Sequence, residues 1–89
     1  MKKDFKVTFS NGYDQADTII QIMQLDARIA SLEEAVKNKK AGRPFDLLLL
    51  APVFFPEIKQ TSPGFDIAQV DAYIKDLKDR MTKLELELR

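Results

Sequence analysis

Two carboxylate pairs lie at helical spacing, Asp14 with Asp17 and Asp76 with Asp79, and they are where metal or acid–base chemistry would begin. A hard cation wants six to eight oxygens, usually gathered by a glycine-bearing loop, and neither pair has such a cluster around it. Helix caps and solvated helix faces account for both pairs more simply. Tyr13 and Tyr73 are acids in principle, but neither has an evident basic partner in sequence. Gly12, Gly42 and Gly64 stand alone and form no phosphate-cradling loop. Lys37, Lys39 and Lys40 form a small basic cluster suited to phosphate or lipid, and equally to a helix C-terminus, where cations offset the helix dipole. The chain has no histidine and no cysteine, which removes the commonest general base and metal ligand and all thiol chemistry. The expectation is a protein that is not an enzyme, with no cofactor, no metal and no small-molecule substrate.

The elements around these residues argue for association. After the breaker Pro63-Gly64, Asp66 is a good N-cap with Gln69 three residues on, as in a capping box. Apolar residues then fall at Ile67, Val70, Ile74, Leu77, Met81, Leu84 and Leu88, stepping by three and four as in the seam of a coiled coil. Earlier, Asp14 can cap a helix running to about Lys40, which Gly42 ends and Pro44 keeps from resuming. Its seam is Ile22, Leu25, Ile29, Leu32 and Val36, and Ile19, Ile20 and Met23 widen the apolar face near its start, as if that end met more than one neighbour. Phe5, Val7 and Phe9 alternate with polar residues, the pattern of a short N-terminal strand or of an arm laid over something apolar, with Phe9 placed in the core. Residues 41–61 form an apolar connector interrupted by Pro52 and Pro56. Within it, residues 46–51 read equally as a short capped helix or a buried strand, and Phe54 and Phe55 are too apolar for a solvated linker, so the segment should pack back on the helices.

Sliding the chain on itself by 52 positions, the distance from Gly12 to Gly64, aligns it as an internal repeat, the alternative being two independent amphipathic helices. Gly12-Tyr13-Asp14 falls on Gly64-Phe65-Asp66, and without a gap the seam aligns as well, Ile22 on Ile74 through Val36 on Leu88. The copies span about residues 10–40 and 62–89 of a single small domain, 1–89. Ile67, Ile74, Met81 and Leu88 take position a and Val70, Leu77 and Leu84 position d. Ile22, Ile29 and Val36 take a and Leu25 and Leu32 d in the first copy. β-Branched residues at a with Leu at d favour two parallel helices. Arg28 and Arg80 fall at g and Glu33 and Glu85 at the following e, the placement for interhelical ion pairs worth ~0.2–1 kcal/mol each; the alternative is a solvated face. The fold class expected is all-α, two long amphipathic helices carrying coiled-coil heptads. The seam can close as a parallel pseudo-dimer within one chain, between two chains, or in an antiparallel hairpin that dimerises into a bundle. A first helix of about 26 residues is roughly 39 Å long. The returning segment, residues 41–63 and so about 23 residues, reaches roughly 75 Å extended, so a return within the chain is feasible.

The stretch Gly64-Phe65-Asp66-Ile67-Ala68-Gln69-Val70-Asp71-Ala72-Tyr73-Ile74 resembles the Gly-Tyr-Asp-x-x-x-Val-Asp-x-Phe-Leu signature of the DivIVA-domain family, bacterial coiled-coil proteins of cell division and polar growth. The likeness covers about 26 residues. The first copy keeps Gly12, Tyr13 and Asp14 but has Thr18-Ile19 for Val-Asp and Gln21-Ile22 for the aromatic-apolar pair. The resemblance implies a parallel coiled-coil dimer headed by a short turn, a scaffold that recruits division or envelope-growth partners. It also implies membrane attachment through an apolar-basic pair just before the Gly, where this chain has Ser10-Asn11 and Ser62-Pro63.

Charge balances at 14 basic and 14 acidic residues, so no net field draws the chain to nucleic acid or anionic lipid. The N-terminus is no signal peptide, and the longest apolar run, residues 47–55, is far short of the ~20 residues of a spanning helix. A cytoplasmic protein, or one peripheral at the inner face of the membrane, is expected. Its partners are proteins met through the helices, in a homo-oligomer (dimer or tetramer) or an intrachain pseudo-dimer. The alternative is a stand-alone helical adaptor that binds a partner helix through Ile19, Ile20, Met23 and residues 47–55.

Overall fold

The computed structural model describes residues 4–89, so the first three residues of the N-terminal stretch lie outside it. Two helices dominate, α1 (Gln15–Lys40) and α2 (Ile67–Leu88). Each begins on its aspartate: an Asp14 carboxylate oxygen accepts from the Asp17 amide at 2.9 Å, and Asp66 accepts from the Gln69 amide at 3.0 Å. α1 ends in a Schellman turn. The Gly42 amide bonds Lys39 O and the Arg43 amide bonds Asn38 O, at 3.1 and 2.8 Å, while Gly42 takes the left-handed φ of 71° that glycine adopts without a Cβ penalty. Gln69 departs from the capping-box pattern. Its side-chain oxygen accepts from the Lys6 amide at 2.8 Å and so ties the N-terminal arm to α2 instead of closing its own cap.

The molecule is mainly helical, but it is not all-α. Four two-residue strands, β1 (Val7–Thr8), β2 (Gly12–Tyr13), β3 (Gln60–Thr61) and β4 (Gly64–Phe65), form one antiparallel sheet in the order β1-β4-β2-β3. Strands this short carry little periodicity, and only the first left a trace in sequence. Neither turn pairs with itself. β1 pairs with β4, β3 with β2, and the two central strands cross at Tyr13 opposite Phe65. Two further bonds repeat the relation: the Asp14 amide bonds Lys59 O at 2.9 Å, and the Asp66 amide bonds Lys6 O at 2.8 Å. Lys6 and Lys59 are 53 positions apart, one more than the helices' offset, so the second turn is a residue shorter than the first.

Both helices start at this sheet. At the far end Lys39 Nζ donates to Glu87 O at 2.9 Å, so the helices run parallel. Between them lie two apolar clusters. One, near the sheet, holds Phe5, Ile22, Leu25, Ile29, Phe65, Val70, Ile74 and Leu77; the other holds Leu32, Ala35, Val36 and Leu88, and Met81 and Leu84 pack on both. The connector returns along the pair. Its residues 46–51 resolve to a 3₁₀ turn, Leu47–Leu50, capped where the Leu48 amide donates to Asp46 Oδ1 at 2.9 Å. Phe45, Leu49, Leu50, Phe55 and Ile58 pack on the core, whereas Leu47, Leu48 and Phe54 face solvent. The folded chain measures 51 × 21 × 16 Å. No helix of the described residues is long and apolar enough to cross a membrane.

Candidate functional site

The residues of the resemblance converge on the crossing of β2 and β4, and each has a physical task there. A Cβ on Gly12 would lie 2.6 Å from Phe65 O and 2.8 Å from Gly64 C; one on Gly64 would lie 2.7 Å from both Gly12 C and Tyr13 O. The two backbones are therefore closer than any side chain permits. Beside them the Tyr13 hydroxyl donates to Asp71 Oδ1 at 2.7 Å, joining the first turn to the second helix. That bond holds the phenol's proton, and burial with the negative charges of Asp71 and Glu57 adds to it, so the Tyr13 pKa is pushed up to about 12. Val70 is fully buried, and Tyr73 meets the Phe5 ring edge-on at 5.6 Å while Phe5 tilts against Phe65 at 5.4 Å. Asp14 and Asp66 are the caps described above.

Of the seam residues, Ile22, Leu25, Ile29, Val70, Ile74 and Leu77 meet near the sheet and Leu32, Val36 and Leu88 at the far end, with Met81 and Leu84 between them. Ile67, the first residue of α2, is half-buried and joins neither cluster. Two buried polar residues complete the face. Thr18 is fully buried and its hydroxyl donates to Asp14 O at 2.7 Å; the Gln21 amide donates to Pro56 O at 2.6 Å. Their polar types hid them, although the repeat sets Thr18 on buried Val70 and Gln21 on Tyr73.

The expected ion pairs do not form among the described residues. Arg28 is turned to the connector, where its Nη2 donates to Leu49 O and to Ala51 O, the latter at 3.2 Å, so Glu85 of α2 has no claim on it. Its buried Nε has no partner. Arg80, at the equivalent place on α2, lines the side the connector leaves open, and it too pairs with no glutamate. Interhelical polar contacts sit at the far end instead. Lys39 Nζ reaches Glu87 O and Arg89 O, and Lys40 lies 3.9 Å from Glu87, so cations assigned to the end of α1 also meet carbonyls and a carboxylate at the end of α2. Of the carboxylate pairs, Asp14 is a cap and Asp79 pairs with Lys75 at 2.8 Å along an exposed helix turn.

Apolar exposure is the remaining property. Phe9, expected in the core, stands at the tip of the first turn and is 87% exposed. Phe54, expected to pack on the helices, is 86% exposed, and Ile20 and Met23 are also open. The reason is geometric for both phenylalanines. The sheet is only two residues deep, so Phe9 lies beyond its edge, and the connector turns Phe55 inward, under Lys78 at 5.8 Å, which turns its neighbour outward. No family model matches this chain, and neither a curated protein nor a solved structure does.

Proposed function

We propose that this chain is a non-enzymatic association module of the DivIVA type, acting in bacterial cell division or envelope growth from the cytoplasmic side. In it, two divergent copies of one strand-turn-helix unit do within a single chain what two chains do in a dimer. The observation that carries the reading is the crossing of the two Gly-aromatic-Asp openings. The signature glycines sit where two backbones touch, and each turn borrows its strand partner from the other copy. A pattern with that steric reason is better support for the resemblance than letters alone. The parallel helices and their clustered seam support a short coiled coil in the same way. Fused to a fluorescent protein in a rod-shaped bacterium, the chain is expected to gather at division sites or poles, and uniformly diffuse fluorescence would refute the cellular setting. Light scattering is expected to give a monomer of 10.2 kDa; a dimer that dissociates on Leu25→Asp would mean that the seam closes between chains.

One observation favours a second role at the membrane surface. Phe9 projects from the turn next to Ser10-Asn11, and an exposed aromatic there can insert among lipid headgroups. Co-sedimentation with anionic vesicles that Phe9→Ser abolishes is the expected result. Equal sedimentation of the variant, or none of the parent, removes the role.

A further inference from the structure

The connector covers one side of the helix pair, and its outer edge makes a continuous groove with α1, mixed in lining at the Asp17 end and mainly apolar from its middle onward. Three hollows of about 360, 440 and 390 Å³ follow one another along it. The first two share Gln24 and Phe54, and the last two share Ser31 and Leu49, so they form one channel. Its α1 wall runs from Asp17 to Asn38 in steps of three and four, a length of roughly 31 Å at the helical rise. The wall is small in the middle, at Ala27 and Ser31. The opposite edge carries exposed Phe54 and Val53. Neither residue joins an apolar cluster of the fold.

Charge decides what fits. One end of the groove is bounded by Asp17 and Glu57, and the other by Glu34 and Asp46. The only cation lining it among the described residues is Arg28, whose guanidinium is committed to Leu49 O and Ala51 O. A second copy of this chain is a poor occupant. In either two-fold arrangement an acidic end of one groove lies on an acidic end of the other, and like charges brought together across an interface are unfavourable. We propose that the groove receives a basic amphipathic helix of a partner protein, of about 20 residues, with apolar side chains three and four apart and Lys or Arg in its end turns. Such a helix places its apolar stripe between Phe54 and the small residues of α1 and its cations against the two acidic ends. The proposal rests on the association-module reading but not on its cellular setting, so it stands or falls separately from the localisation experiment.

The test uses the full chain and a labelled synthetic helix of about 20 residues, with leucines at that spacing and lysines in both end turns. A matched peptide carries Glu in place of Lys. Fluorescence anisotropy should show saturable binding of the lysine peptide that salt weakens. The glutamate peptide should bind at least about tenfold more weakly. Phe54→Ser should lower affinity by at least about tenfold, and Glu34→Gln with Glu57→Gln by several-fold, with circular dichroism unchanged because all three side chains are exposed. Absence of binding, equal binding of both peptides, or full binding by Phe54→Ser overturns the proposal. So does a dimer in light scattering that Phe54→Ser abolishes, because a second copy would then cover the groove.

Discussion

The contact between Gly12 and Gly64 makes the sharpest demand on the fold, and substituting either by alanine tests it. In Gly12→Ala the new methyl would meet Phe65 O at 2.6 Å, Gly64 C at 2.8 Å and the Thr8 methyl at 2.9 Å. Two of those three are backbone atoms of the paired strand and cannot rotate away. Relief therefore requires the central strands to part, which loosens the Tyr13–Phe65 pairing and with it the Tyr13–Asp71 hydrogen bond. Overpacking of this kind costs about 1–3 kcal/mol, occasionally more, and contacts with backbone put Gly12→Ala and Gly64→Ala near 3 kcal/mol. For a chain of this size that is a large share of a total stability on the order of 5–10 kcal/mol, and it lowers Tm by roughly 12–24 °C.

Gly42→Ala is the control. Nothing lies within 4 Å of the place a Cβ would take there, and only the φ of 71° is unfavourable, at roughly 1 kcal/mol. Urea unfolding followed by far-UV circular dichroism measures all three. Because one separation of the strands accommodates both methyl groups, the Gly12→Ala/Gly64→Ala double variant should cost clearly less than the sum of the singles. Costs below about 0.5 kcal/mol for the crossing glycines, or strict additivity, would show that the backbones do not touch.

Tyr13 supplies a titration. In a Tyr73→Phe background its phenolate absorbance should rise with a midpoint at about 12, and Asp71→Asn should move that midpoint back toward 10. The sign follows from a folded pKa raised above its unfolded value: the contribution to stability is complete below pH 10 and is lost as pH climbs from 10 through about 12. Arg28→Ala removes two charge-assisted bonds to the connector carbonyls, each worth about 1.5–3 kcal/mol. Limited proteolysis should then cut residues 47–55 faster while helix content holds; an unchanged rate would mean that Leu49 and Leu50 anchor the connector alone. Leu25→Ala, at a fully buried seam position, should cost about 2–5 kcal/mol, and a loss below 1 kcal/mol by the same unfolding measurement would place Leu25 outside the core.

The legible parts of the molecule were those with long periods or strong local chemistry. Helix limits followed from Asp14, Asp66 and Gly42, because a cap or a left-handed turn is a property of a few adjacent residues. The seam followed from apolar steps of three and four. The sheet escaped, because a two-residue strand has no period to read, and its partners lie 47 to 58 positions away, from Tyr13 opposite Gln60 to Val7 opposite Phe65. Arg28 was misplaced for a related reason. Heptad position assigns a g residue to a neighbouring helix, and here a third segment occupies the space that the neighbour's glutamate would need. Buried Thr18 and Gln21 show the limit of hydropathy itself, since each is buried by satisfying its polar atoms with a carbonyl instead of by lacking them.

The differences between the two halves are as informative as their likeness. In a dimer of identical chains, a substitution at the crossing appears on both sides at once. Closure within one chain removes that constraint, and under the duplication we propose the halves have diverged in compensating pairs. Tyr13 with Asp71 is a hydrogen-bonded pair; the positions related to them by the repeat are Phe65 and Ile19, so hydroxyl and carboxylate are absent together. Each group serves the other, so losing one forfeits the whole charge-assisted bond and leaves the second without a task at the crossing. The same reasoning covers the arginines. Arg28 acquired carbonyls from the connector, which runs along only one side, while Arg80 stayed on the open side. The asymmetry thus follows from the one part that has no repeat, residues 41–61, and the acidic groove lies along that part and α1. Exchanging the pair tests the argument. Tyr13→Phe with Asp71→Ile should cost clearly less than the sum of the two singles, because each removes the same bond, and strict additivity would show that the two positions are not coupled across the crossing.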